Sequence, residues 1–454
     1  VKVSNLHRHA GVLLHISSLP SGNLGEDAYR FVDFLQEVGA TVWQTLPLNT
    51  PHADGSPYQC LSAHAGNPKF ICGQLNSPSI ESLEFQSFCN KHASWLNDFA
   101  LFLVLRKQFN DVSWNAWPKP YKLRDTKTLN KVKMQFADKI AEIKFSQFQF
   151  FTQWAALKSY ANKKGVAIFG DIPIFVAYDS ADVWANPNSF KLDARCNMKV
   201  VAGVPPDYFS QTGQRWGNPH YNWRVMQRDS YKWWLARMAT QNRLFDIIRI
   251  DHFRGFQAAW EIPAKEETAV NGKWVRAPGA ALLGAIKKRF PRICLVAEDL
   301  GIITPPVNAL RAKFNLPGMK ILQFAFGSGD DNYYLPNNIE TNSVVYTGTH
   351  DNDTTLGWYN TLEPYAKQHL HTVMKNDAPN MPVEMVKMAL ATKAKLAIIP
   401  MQDILELDGT HRMNMPGTMV NNWLWRFDWS QLTSNQKVQF AKAIQTTGRA
   451  NVKK

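Results

Sequence analysis

Five acidic residues stand at, or just past, the end of a short apolar run: Asp171, Asp251, Glu298, Asp403 and Asp351. A carboxylate beside an apolar floor is costly unless it is paired. One acid after a strand ordinarily caps a helix or opens a turn. Five in the same relative place, with Arg249 and His350 among them, point to chemistry. Arg249 lies two residues before Asp251, so in a strand both side chains leave the same face. A guanidinium there would keep the aspartate ionised and aimed, below its ordinary pKa, while neighbouring acids would raise Glu298. An ionised carboxylate facing a second carboxyl that keeps its proton is what retaining glycoside chemistry requires, at a separation of about 5–5.5 Å.

Such residues are far apart in sequence and need a frame that gathers them. Apolar runs recur at 11–15, 41–46, 166–171, 246–251, 293–298, 320–325, 343–347 and 396–403. Their lack of alternation suits strands buried on both faces of a parallel sheet. Helical patterns at 28–38, 231–238 and 280–290 fall between them. The alternation predicts an α/β fold, and eight runs predict a (β/α)8 TIM barrel, whose C-terminal strand ends converge on one mouth. The reading is one catalytic barrel over 1–454 with two insertions. The first, about 75–163, is a helical subdomain with helices at 81–110 and 131–163. The second, about 179–222, is irregular and rich in Pro, Asn, Gly and aromatics. Long irregular loops are usually functional.

Composition narrows the function classes. With 45% hydrophobic and 19% charged residues the chain can bury a large core, which excludes global disorder. Sixteen Trp, thirteen Tyr and twenty-six Phe suit a cleft that stacks sugars, although most aromatics fill cores. The net charge of +14 is scattered with no run of five like charges, so it reads as solvating and no nucleic-acid partner is expected. Five Cys without a CxxC read as free thiols in a reducing compartment. No leader-like stretch opens the sequence and no apolar run could span a bilayer, so a cytoplasmic location away from membranes is expected. No GxSxG, phosphate loop or GxGxxG occurs, and His252 and His350 lack an HExxH setting. Neither cofactor nor metal is expected.

Ordered motifs run nearly end to end: Gly11-Val-Leu-Leu-His15, Trp43-Gln44, Ser56-Pro-Tyr-Gln59, Ser62-Ala-His-Ala-Gly-Asn-Pro68, Gly170-Asp-Ile-Pro-Ile-Phe-Val176, Ala202-Gly-Val-Pro-Pro-Asp-Tyr-Phe209, Gly213-Gln-Arg-Trp-Gly-Asn-Pro219, Arg249-Ile-Asp-His-Phe-Arg-Gly255, Ala297-Glu-Asp-Leu-Gly301, Gly348-Thr-His-Asp-Asn352 and Arg412-Met-Asn-Met-Pro-Gly417. In these the sequence resembles the amylomaltase family of 4-α-glucanotransferases (disproportionating enzymes). The resemblance implies a barrel without a C-terminal β-domain. It also implies retaining transfer of α-1,4-glucan segments between maltooligosaccharide, starch or glycogen chains, with glucose as a further acceptor and no cofactor. Carried over, Asp251 is the nucleophile, Glu298 the acid/base, and Asp351 the group that grips the distorted sugar. Tyr58, Asp171, Arg249, His350, Trp216, Asn218 and Pro219 would bind substrate, with Trp184, Tyr208 and Asn414 as further candidates. The sequence departs from the family in a shorter loop at 20–25 and in His64, where an aromatic is common. An amylase-type hydrolase and a glycan- or polyanion-binding protein without catalysis are the alternatives. The oligomeric state is not legible.

Overall fold

The computed structural model describes residues 8–73, 79–207 and 210–450. Eight strands form one parallel sheet: β1 (His9–Leu13), β2 (Val42–Gln44), β3 (Ala167–Pro173), β6 (Ile247–Asp251), β9 (Cys294–Ala297), β10 (Gly318–Ile321), β11 (Ser343–Tyr346) and β12 (Leu396–Pro400). The order β10-β11-β12-β1-β2-β3-β6-β9 brings its two ends together. There the Ala297 N–H donates to the Pro317 carbonyl (2.9 Å), and the Met319 N–H donates to Asp299 Oδ1 (2.7 Å). The sheet is thus a nearly closed (β/α) barrel, as the spacing of apolar runs predicts. Two runs end sooner than expected. The sixth turns into a 3-10 helix at Leu322–Phe324, and the eighth into a helical turn at Met401–Ile404.

The apparently continuous apolar runs conceal alternation. Phe169, Ile247, Val296, Met319, Val344 and Leu396 form a core of their own inside the barrel. Ile168, Ile248, Ile250, Leu295, Val345 and Ala397 belong to the larger core shared with the surrounding helices. Both faces are buried, so both are apolar, and only the period of two separates them. That period aims the residues at the strand ends: Asp171 continues the interior row of Phe169, and Arg249 and Asp251 continue that of Ile247.

The segment between β2 and β3 holds two long helices, Leu83–Gln108 and Ala137–Lys163, with shorter ones at Lys119–Lys122 and Thr126–Gln135. Two glutamines of the second long helix grip the loop after β2. Gln147 accepts from Gly66 N–H (2.8 Å) and donates to its carbonyl (2.9 Å), and Gln153 does the same at Cys72 (2.9 Å each). His64, which takes the place of the family's aromatic, still behaves as one: it is buried and stacks on Trp95 at 5.6 Å and 8°. The segment at 179–222, read from sequence as irregular, contains β4 (Val200–Val204) and β5 (Gln214–Pro219). These pair with β7 (Ala258–Pro263) and β8 (Lys273–Arg276) in an antiparallel sheet of order β5-β4-β7-β8. Half of this sheet, β7 and β8, lies beyond β6, so the local pattern of 179–222 does not announce it. Among the described residues no strand follows β12.

Candidate active site

The register of β3 and β6 builds the floor of the site, because Asp171 pairs directly with Arg249. Arg249 Nη1 donates to Asp171 Oδ2 at 2.6 Å, and its Nη2 reaches Asp251 Oδ1 at 2.9 Å. Its Nε is directed at Met319 Sδ (3.3 Å). One planar fork therefore ties two acids from neighbouring strands. Tyr58, on the loop held by Gln147 and Gln153, donates its hydroxyl to the same Asp171 Oδ2 at 2.7 Å.

Glu298 follows β9 and continues the inward row of Val296. It accepts from His252 N–H (2.6 Å) through Oε2 and from Leu300 N–H (2.9 Å) through Oε1. His252 can aim its amide there because the chain turns left-handed right after β6 (φ 52°), a conformation His tolerates better than most residues. Glu298 is thereby fixed against the residue that follows Asp251.

Burial dominates the electrostatics. It pushes Asp251 up to about 8, against the pull of Arg249 and helped by Glu298. The expectation that Arg249 would hold Asp251 below its ordinary value is corrected: desolvation at the barrel mouth outweighs the ion pair. Glu298 is raised too, chiefly by burial, against Arg249 and the two backbone amides. Burial opposes the charge of Arg249, but Asp171 and Asp251 overcome it and hold the guanidinium well above its ordinary value. Two raised carboxyls beside one permanent cation retain a proton between them near neutrality.

Asp351 lies on the loop after β11. Its Oδ1 accepts from Asn414 Nδ2 (2.6 Å), its carbonyl accepts from Arg412 Nη2 (3.0 Å), and His350 Nε2 lies 3.4 Å from its Oδ2. His350 is pushed down by burial, against Asp351, and is a neutral imidazole at pH 7. Its ring stacks on Tyr58 at 5.2 Å and 11°. Trp423 leans over both, 5.9 Å from Tyr58 and 6.0 Å from His350, with a left-handed backbone (φ 66°). Sequence reasoning missed Trp423. Its only signal is an aromatic ending the loop that begins at Arg412-Met-Asn.

Asp251, Glu298, Asp351, Arg249, Tyr58, Trp216 and Asn218 all line one cavity of about 670 Å³, a size suited to small ligands. Asn218 is fixed there by its Nδ2 donating to the Val176 carbonyl (2.9 Å) and by Gln59 Nε2 donating to its Oδ1 (3.2 Å). Asp171 is a correction: its side chain is fully buried and props Arg249 and Tyr58 from beneath instead of lining the cavity. Pro219 is buried in β5 opposite Val201, outside the lining. Asp403 is not part of the acidic cluster. It is buried and accepts from Thr347 Oγ1 (2.5 Å), Thr355 Oγ1 (2.6 Å) and Thr355 N–H (2.8 Å), which staples two loops together. Trp184, on the short helix Ala181–Ala185, is buried against Phe102 of the helical segment and under the Arg124 guanidinium (4.2 Å). Tyr208 lies outside the described residues. Among the described residues no group of three or more His, Cys, Asp or Glu could hold a metal.

A parallel barrel with buried carboxylates and a guanidinium fork at its strand ends, opening on an aromatic-walled cavity, defines a barrel enzyme of the glycoside-processing type. The profile of glycoside hydrolase family 77, described as 4-alpha-glucanotransferase, matches residues 14–82 and 72–433. The 4-alpha-glucanotransferase of Thermus thermophilus is 42% identical, covering 98% of this chain and 99% of that protein. The chloroplastic/amyloplastic 4-alpha-glucanotransferase of Solanum tuberosum is 38% identical, over 96% and 85%. Among solved structures, the amylomaltase of Streptococcus agalactiae in complex with acarbose superposes with a TM-score of 0.94 at 34% identity, over 98% of this chain and 100% of that one. The chain belongs to this 4-alpha-glucanotransferase family.

Proposed function

We propose that the chain moves α-1,4-glucan segments between maltooligosaccharide, starch- or glycogen-type chains by double displacement on Asp251, with net retention. The observation that carries this is the Arg249 fork joining Asp171 to Asp251 on the same cavity floor as Glu298 and Asp351. Asp251 Oδ attacks the anomeric carbon of the donor while Glu298 gives its proton to the departing glycosidic oxygen. A glucosyl ester on Asp251 and a free chain end result. The acceptor 4-hydroxyl then loses its proton to Glu298 and attacks the same carbon, and Asp251 departs as a carboxylate. Arg249, 2.9 Å from Asp251, favours placing the negative charge of the pair on Asp251 and its proton on Glu298. Asp351, oriented by Asn414, would hold hydroxyls of the distorted sugar, with Tyr58 as its aromatic wall and the buried His350 stacked on Tyr58 outside the cavity lining. The separation for this chemistry is about 5–5.5 Å between the Asp251 and Glu298 carboxyls. Segments 75–163 and 179–222 serve the barrel as insertions, the first steadying the Tyr58 loop and the second supplying Trp216 and Asn218. A cytoplasmic setting suits this reading, and no described helix is long and apolar enough to cross a membrane.

Maltotriose alone tests it. Transfer yields glucose together with maltotetraose and longer chains at constant reducing-end count. Reducing ends that climb steadily without longer products would establish a hydrolase instead.

A further inference from the structure

One part of the cavity has no task in the chemistry above. On the Glu298 side its wall continues through His252, Trp216, Arg254, Ile302 and Trp274. Trp274 sits on β8 opposite Trp260 of β7 and is 39% exposed, unusual for so large an apolar side chain. It does not belong to the core of its own sheet, which is Val201, Ile262 and Ala269. Yet it is held rigidly. The buried Arg254 guanidinium lies 3.7 Å from its ring centroid, and Trp260 meets it edge-on at 5.3 Å and 64°. Arg254 is itself pinned by donating Nη1 to the Ile302 carbonyl, and its Nε is buried without a partner. A ring propped by a cation and a second indole while open to a cleft is preorganised to receive a flat apolar face.

The same wall holds a second unspent group. His252 Nε2 is buried, lacks a hydrogen-bond partner and lines the cavity, with the ring edge-on to Trp216 at 4.8 Å. Burial pushes this imidazole down to about 3, so it is neutral and can hydrogen-bond a sugar hydroxyl. The Glu298 carboxyl meets the departing and incoming glycosidic oxygen, and its partners His252 and Leu300 lead outward to Ile302 and Arg254. The track therefore runs away from the reacting sugar on the side of the leaving chain and the acceptor.

We propose that Trp274, seated on Arg254, is a stacking platform for a glucose unit remote from the cleavage point, and that it sets the preference for long over short acceptors. This rests on the transferase reading. The test fixes maltotriose as donor and measures acceptor KM for labelled maltoheptaose and labelled glucose in wild type, Trp274→Ala, Trp274→Leu and Trp274→Phe. The ratio of the maltoheptaose KM to the glucose KM should rise ~5–10-fold in the Ala and Leu variants, as loss of one aromatic stack implies, and stay within about twofold in the Phe variant. Either the Ala or the Leu variant suffices should the other fail to fold. An unchanged ratio in a folded Ala or Leu variant overturns the platform and leaves transfer standing, as does a Phe variant that behaves like Leu. Absence of any transfer by the wild-type chain overturns the transferase reading itself.

Discussion

Replacing Arg249 by Met removes the cation that bridges Asp171 and Asp251. Its Nη2 lies 2.9 Å from Asp251 and its Nη1 2.6 Å from Asp171. With charge centres about 4 Å apart and an effective dielectric of about 20, the Arg249–Asp251 attraction is ~4 kcal/mol. At about 1.4 kcal/mol per pKa unit, its loss raises Asp251 by ~3 units beyond the rise that burial already imposes. Asp171 loses its Arg249 partner as well, which loosens the carboxylate that Tyr58 is anchored to. The proton that the pair holds near neutrality then sits on Asp251 instead of Glu298, and the nucleophile is lost. The expected loss in kcat/KM for maltotriose disproportionation is ~10³-fold, with the acid limb of the pH profile moved upward by ~2–3 units. Arg249→Lys keeps a charge but not the fork and should fall between the two. A folded Met variant with kcat/KM within about tenfold of wild type and an unmoved acid limb would refute this reasoning.

Two further predictions concern stability. Burial pushes Asp182 from 3.8 up to about 6, and the folded state therefore holds a proton that the unfolded chain has released. Its contribution to stability is fully present below pH 3.8 and is lost as pH rises to about 6. Asp182→Asn can still accept from Ala63 N–H, so it should be more stable than wild type at pH 7.5 by up to ~3 kcal/mol, with the difference vanishing near pH 4; thermal melts showing a pH-independent difference would contradict this. A Cβ at Gly66 would lie 2.1 Å from the buried Phe150 ring, so Gly66→Ala should cost ~1–3 kcal/mol in urea unfolding and loosen the loop that carries Tyr58.

The eight barrel strands were legible because parallel strands buried on both faces leave short, dense apolar runs. The acids were legible because they break those runs at one end. What failed to show is contact made by distant backbone. β4 and β5 pair only with each other and with β7, whose residues come after β6, so residues 179–222 looked irregular. Asp171 and Asp403 end apolar runs just as Asp251 does, yet one lies beneath Arg249 and the other staples Thr347 to Thr355. Whether an acid reaches the cavity or stops short depends on side-chain depth, which spacing does not encode. Asp251 shows the same limit in energy: the neighbour that should lower its pKa was visible in sequence, but the desolvation that wins was not.

The covalent step offers the most direct test. In Glu298→Gln the second displacement is slowed, so an activated donor such as 5-fluoro-α-glucosyl fluoride should leave a glucosyl ester on the enzyme. Proteolysis and mass spectrometry should place the added mass on Asp251 in the peptide spanning β6. Label on Asp351 or any residue other than Asp251 would contradict the assignment of the nucleophile.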